Sequence, residues 1–133
     1  MTDFVEVKTS ELTGGGLNWA VAKAEGYEPM LFPHSRNEYG VVASLGSVEE
    51  GNFTFKPCVY CTDWSQGGPL IEKYHMNFCC EHPETIGAAL CDENGMYIDD
   101  RMMFGKTHLI AACRAIVASV LGDTASVPKE LLS

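Results

Sequence analysis

The sequence predicts an α+β fold: a mainly antiparallel β-sheet with two helices, at about 13–25 and 107–121, packed on it. Three observations carry this expectation. Apolar residues recur at helical spacing in those two stretches, the segments between them are short and β-rich with Gly- and Pro-containing turns, and the order strand, helix, several strands, helix separates strands from helices. The 133 residues are read as a single domain, 1–133, and 46% of them are apolar. A chain of this length buries about two-thirds of the surface its unfolded form exposes, which argues against disorder and against a need for disulfide staples.

In order, FVEVK at 4–8 alternates apolar and polar residues and reads as a half-buried strand. The polar stretch 9–12 and Gly14, Gly15 and Gly16 open a helix in which Leu17, Ala20, Val21 and Ala24 form the apolar stripe, with Gly26 as a left-handed stop. Residues 27–40 contain Pro29, Pro33 and several turn formers, and read as a loop or irregular edge segment. Residues 41–46 and 52–61 read as strands, TDWSQGGP at 62–69 as a turn, and LIEKYHMNFC at 70–79 as a further strand. Residues 81–106 read as loop-rich with one short strand at 96–98. The helix from Thr107 is the core helix: Leu109, Ile110, Cys113, Ile116, Val117, Val120 and Leu121 share a face, and Gly122 stops it. The remaining tail is expected to dock as a final turn.

Charge and cysteine usage narrow the function. There are 18 acidic residues against 9 basic ones, a formal charge of -9. The bases are scattered, so a protein that tracks a nucleic-acid backbone with clustered Lys and Arg is excluded. No apolar run approaches the ~18 residues of a membrane span, and MTDFVEVKTS lacks the features of a signal peptide. The six cysteines are therefore read as free thiols. Cys58-x2-Cys61 and Cys79-x2-His82 stand at zinc-knuckle spacing, but the first pair lies in a strand-like context with no glycine to turn the chain, and small apolar core fillers are the preferred reading. His34, His75, His82 and His108 are available to a cysteine nucleophile, yet no motif pairs one to it. No nucleophile elbow, phosphate loop or metal helix motif is present. The reading leans away from an enzyme and assigns no catalytic residue, metal or cofactor.

The candidate ligand-binding residues are Asn18, Trp19, Arg36, Tyr39, Asp63, Trp64, Gln66, Gly67 and Arg114. Trp64 offers a stacking face, Gln66 a two-sided amide, and Asp63 an acceptor, while Gly67 beside Gly68 lets a backbone approach closely. The competing reading of this stretch is a tight β-turn with Trp64 as a plug. Asn18 is polar on a helix, and Trp19 lies off that helix's stripe, so Trp19 is either core or a contact surface. Arg36 and Tyr39 bring a cation and a ring into one segment, and Arg114 is the sole charged residue inside the last helix. Any anion site must be assembled by folding, around Arg36 or Arg114.

Three blocks, KTSELTGGGLNWAVAKAEG at 8–26, TDWSQGGPLIEKY at 62–74 and THLIAACRAIVASVLGDTASVPKEL at 107–131, together resemble the small NinX-like proteins of tailed phages. The family usually carries an aspartate before the first-block tryptophan, where this chain has Asn18, and it has no fixed cysteine pair matching Cys58 and Cys61. The resemblance implies a phage accessory protein in the host bacterial cytoplasm and supplies no reaction. In that setting the expected function is non-catalytic binding of a small nucleotide-like ligand, such as a host immune signalling nucleotide sequestered by a homo-oligomer. The alternative is an acidic inhibitor or adaptor of a host protein, with Trp19, Met102 and Met103 as apolar anchors.

Overall fold

The structure, a computed structural model, describes residues 3–35, 38–45, 54–98 and 102–132. Along the chain the elements are β1 (Phe4–Lys8), α1 (Gly14–Ala24), β2 (Pro29–Ser35), β3 (Glu38–Leu45), β4 (Thr54–Pro57), α2 (Trp64–Lys73), β5 (Asn77–His82), β6 (Thr85–Ala89), β7 (Met103–Gly105), α3 (His108–Val120) and β8 (Thr124–Pro128). Short 3-10 turns lie at Thr9–Glu11 and Lys129–Leu131. The α+β class holds, and among the described residues all strand pairs are antiparallel and there are three helices where two were expected. Among the described residues the strands form three separate sheets, β1-β8, β2-β3-β4 and β5-β6-β7, not one.

The two expected helices form close to their expected bounds, and each ends at the expected glycine: Gly26 has φ 89° and Gly122 has φ 101°, left-handed values that a side chain resists. The N-cap of α3 is Thr107, whose Oγ1 accepts the Ile110 N–H at 3.1 Å. Neither helix has the one-sided burial that its apolar stripe implies. Every residue of α1 from Gly16 to Ala22 is buried, because α3, β3 and β8 all pack against it. That enclosure buries Trp19, which is 7% exposed, with the Phe4 ring 6.0 Å from its own. In α3 the alanines at 111, 112, 115 and 118 are buried, whereas Val120 and Leu121, assigned to the core face, are exposed. Small side chains let neighbouring elements close around the middle of the helix, and its last turn projects beyond them.

The missed helix is α2. The sequence TDWSQGGP reads as a turn because Gly67, Gly68 and Pro69 are poor helix formers, and yet α2 runs through all three. Two features offset that propensity. Asp63 caps the helix, its Oδ1 accepting the Ser65 N–H at 2.9 Å and the Ser65 hydroxyl at 2.7 Å. Gly67 lies so close to its surroundings that a Cβ there would stand 2.5 Å from both the Tyr60 carbonyl oxygen and Leu109 Cδ2. The strand expected at 70–79 therefore begins only at Asn77, after His75 turns the chain with φ 49°. The C-terminal ends of α1 and α2 are tied together by Glu25, which accepts from Lys73 Nζ at 2.7 Å and from the Tyr74 hydroxyl.

Other strands also correct the expectation. Residues 29–35, read as a loop or irregular edge segment, form β2 in spite of Pro29 and Pro33, so the edge alternative is the one that holds. It is an edge strand, where a missing N–H need not interrupt a ladder, and its register shifts between Pro33 and Ser35. In the region read as loop-rich, β6 and β7 are strands, while the strand expected at 96–98 reduces to a single bridge, Cys91 to Tyr97. Residues 58–61 leave the sheet after β4 instead of extending it. The first strand forms as expected but is mostly exposed; of its residues only Val7 is half-buried. The tail contributes β8, not merely a turn, and its Ala125 and Val127 point into the core. Residues 36, 37, 46, 52, 53, 99, 100 and 101 lie outside the described residues.

Among the described residues two apolar clusters result. The larger holds Leu17, Trp19 and Val21 of α1, Val41 and Ala43 of β3, Cys58, Tyr60, and Cys113, Ile116 and Val117 of α3. The smaller packs Ile86, Ala88 and Leu90 against Ala111 and Ala115, so α3 serves both. Among the described residues no helix is long and apolar enough to cross a membrane.

Candidate functional site

A cavity of about 470 Å³ opens between α1, the β2–β3 hairpin and the chain leaving β4. Its placement follows from the local folding. α1 presents Gly15 and Asn18, β2 presents Phe32, β3 presents Tyr39 to Val42, and Pro57, Cys58 and Val59 form the opposite side. The Cys58 N–H donates to the Val41 carbonyl at 2.8 Å, which holds that side against β3. Val41 and Cys58 are buried at the base, whereas Phe32 and Tyr39 are exposed large rings.

Polar chemistry in this wall is sparse. Asn18 is 7% exposed, and its Oδ1 accepts the Cys61 N–H at 3.0 Å. Cys58 is a buried thiol pushed above its ordinary pKa by burial, against smaller opposing effects of Tyr60 and Lys56. Burial likewise raises Cys61, whose Sγ lies 3.6 Å from the Gly14 carbonyl oxygen. Thiols held protonated in this way are weak nucleophiles. Among the described residues the cavity therefore has apolar and aromatic walls, one fixed amide and no lysine or arginine in its lining.

The structure brings together only part of the candidate set. Asn18 and Tyr39 line this cavity. Gln66 stands behind its wall: Nε2 donates to the Pro57 carbonyl at 2.6 Å and Oε1 accepts the Val59 N–H at 2.9 Å, so the amide is indeed two-sided but addresses the protein's own backbone. Asp63 caps α2, with its carboxyl held below the usual range by the Ser65 hydroxyl and N–H. Gly67 is a helix-packing contact, and Trp19 is core. Trp64 is 58% exposed on the first turn of α2 and stacks at a tilt on His108 at 6.4 Å, outside the cavity lining. Arg114 borders a different cavity, where its Nε donates to the Leu12 carbonyl at 3.0 Å and its Nη1 to the Phe104 carbonyl at 2.6 Å; of the two roles open to a lone helix arginine, pairing with a carboxylate or lining a pocket, it takes the second. Arg36 lies outside the described residues.

Sequence reasoning missed Phe32, Val41, Val42, Pro57, Cys58 and Val59 as cavity residues. The available signal was two rings, Phe32 and Tyr39, inside the 27–40 segment read as a loop or irregular edge; paired as a hairpin, Phe32 lies opposite Gly40 and Pro33 opposite Tyr39. The zinc arrangement does not assemble. Cys58 and Cys61 are buried while Cys79 is exposed on β5, and among the described residues no group of three or more His, Cys, Asp or Glu is placed to hold a metal ion.

No curated protein matches the chain's sequence. The helices α1, α2 and α3 nevertheless fall within a single family pattern: the family described as Bacteriophage P22, NinX matches residues 8–120, most of the 133, and the chain belongs to that NinX family.

Proposed function

We propose that this phage accessory protein is a non-catalytic binding module for a small nucleotide-like ligand, whose flat, base-like end enters the cavity beside Asn18. The observation that carries the reading is the cavity itself: about 470 Å³, with the exposed rings of Phe32 and Tyr39 and the fixed amide of Asn18 in its lining. That size and mixture, mostly apolar with a few placed polar groups, is what small-molecule sites share, and an aromatic face stacks on any base. A charge of -9 slows the approach of an anion. Among the described residues the lining offers no lysine or arginine, which favours entry by the base; the reading assigns the phosphate to Arg36, which lies between Phe32 and Tyr39 in sequence. In the host bacterial cytoplasm, retention of an immune signalling nucleotide would follow from such binding, with homo-oligomerisation as a further part of the same proposal.

Isothermal titration with mononucleotides, cyclic nucleotides and ADP-ribose derivatives tests it. At least one is expected to bind at micromolar concentration or below, and Tyr39→Ala is expected to weaken it about tenfold through lost stacking. Silence across the set, together with no metabolite retained in native mass spectrometry of protein purified from cells, overturns the reading.

One observation favours the alternative of an acidic protein-binding adaptor. Met96, Tyr97 and Ile98 are consecutive exposed apolar residues, replacing the anchors expected at Trp19, which is buried, and at Met102 and Met103, which are half-buried. Capture of a host protein by the native chain and its loss in Tyr97→Asp, with no nucleotide co-purifying, would support that reading.

A further inference from the structure

We propose that a second cavity, at Arg114, binds a small organic phosphate monoester by its phosphoryl head. This site shares no lining residue with the first cavity and does not depend on it. It measures about 360 Å³, between the start of α1, β6, β7 and α3. Arg114 is fixed there by the two carbonyl bonds from Nε and Nη1, which come from different parts of the chain and so set the plane of the guanidinium. A guanidinium has five N–H donors, and no ion pair among the described residues involves Arg114. Every buried side-chain nitrogen or oxygen among the described residues has a partner. Nη2 has no partner among the described residues and therefore stays open to solvent. Partial burial strips the guanidinium of hydration and lowers its pKa, so an anionic partner offsets a cost that the fold already bears.

The neighbours fit the head and the body of such a ligand. Lys106 adds a second cation, and Thr85 and Thr13 add hydroxyls. Thr13 is the N-cap of α1 yet makes no side-chain cap bond, so its hydroxyl is not committed to the helix. Arg114 comes from α3, Thr85 from β6, Thr13 from the turn before α1 and Lys106 from the link between β7 and α3, so donors line the cavity from four separate parts of the chain, which suits a tetrahedral head better than a planar carboxylate. Glu84 opposes them, leaving the local charge positive on a chain that is otherwise acidic. The volume exceeds that of a bare phosphate, and Phe104 and Ile110 supply apolar wall for an organic body.

Titration with phenyl phosphate at low salt, beside inorganic phosphate and benzoate, tests the assignment. Phenyl phosphate is expected to bind with one-to-one saturation and more tightly than either of the others. Lys106→Ala, at an exposed position, should weaken it about tenfold, the scale of one charge-assisted hydrogen bond, Glu84→Gln should strengthen it several-fold, and Tyr39→Ala should leave it unchanged. Arg114→Lys keeps the charge and loses the fork, and in protein shown folded by circular dichroism it should bind at least as weakly as Lys106→Ala. Absence of saturation, equal affinity for benzoate, or indifference to both Lys106→Ala and Glu84→Gln overturns the proposal.

Discussion

Gln66 shows how a polar residue that looks like a ligand contact in sequence becomes part of the frame. Its amide completes one backbone donor and one backbone acceptor on the chain leaving β4, and those same residues wall the first cavity. Asn18 does the same across α1, using Oδ1 to hold Cys61. The thiols divide in a comparable way. Cys58, Cys61, Cys91 and Cys113 are buried, and Cys79 and Cys80 are exposed on β5. Burial raises Cys58, Cys61 and Cys113, while Cys79 is raised by its hydrogen bond to Glu81, with Sγ 3.4 Å from the carboxylate. A raised pKa means less thiolate at any pH below it, hence slower alkylation. Iodoacetamide at mildly alkaline pH should therefore label only Cys79 and Cys80 in the folded protein, and Glu81→Gln should speed the Cys79 reaction. Peptide mass mapping reads both results; early labelling of Cys58 or Cys113 would contradict this burial pattern.

Among the elements, α2 is the one whose sequence argues against it. Its two adjacent glycines have different physical standing, and opposite effects on stability follow. At Gly67 a methyl group would collide with the Tyr60 carbonyl oxygen, which is backbone and cannot yield cheaply, and with Leu109, so Gly67→Ala should cost about 1–3 kcal/mol. At Gly68 the nearest atom is Trp64 Cε3 at 3.9 Å, so Gly68→Ala should gain up to about 1 kcal/mol of helix propensity. Urea denaturation of the two variants should separate them in sign. This contrast also explains what was legible beforehand. α1 and α3 could be read because apolar spacing, start signals and stop glycines agree in them. α2 and β2 could not, because Gly67, Pro29 and Pro33 are decided by close approach to another element or by an edge position, and neither is encoded locally. The cavity was half-legible for the same reason: Asn18 and Tyr39 announce themselves by type, whereas Phe32 and Val59 join them only through hairpin and wall pairing that depends on the whole sheet.

For the molecule as a whole, the strand pair β1-β8 brings the two ends of the described chain together, with Phe4 opposite Pro128 and Lys8 opposite Thr124. The family match spans residues 8–120 and so includes α1, α2 and α3 but almost none of this pair. Yet β8 is not an ornament of the core. Val127 is fully buried and Ala125 nearly so, both within the larger cluster that α1 and α3 share. The connection is also polar. Buried Thr9 donates its N–H to the Asp123 carbonyl at 2.8 Å and its hydroxyl to the Gly122 carbonyl at 2.7 Å, and Lys129 N–H donates to the Asp3 carbonyl at 2.9 Å. Removing residues 121–133 would thus expose one side of α1, leave two donors of Thr9 without their acceptors and strip the cluster of Val127, losses that individually run to about 1–3 kcal/mol against a total stability of about 5–15 kcal/mol for an ordinary domain. A fragment of residues 8–120 should accordingly lack a cooperative thermal transition, while the full chain shows one, and Val127→Ala in the full chain should lower the transition midpoint without abolishing it. A fragment that melts cooperatively at the full chain's temperature would mean that the pairing of β1 with β8 adds nothing to the core on which the first cavity is built.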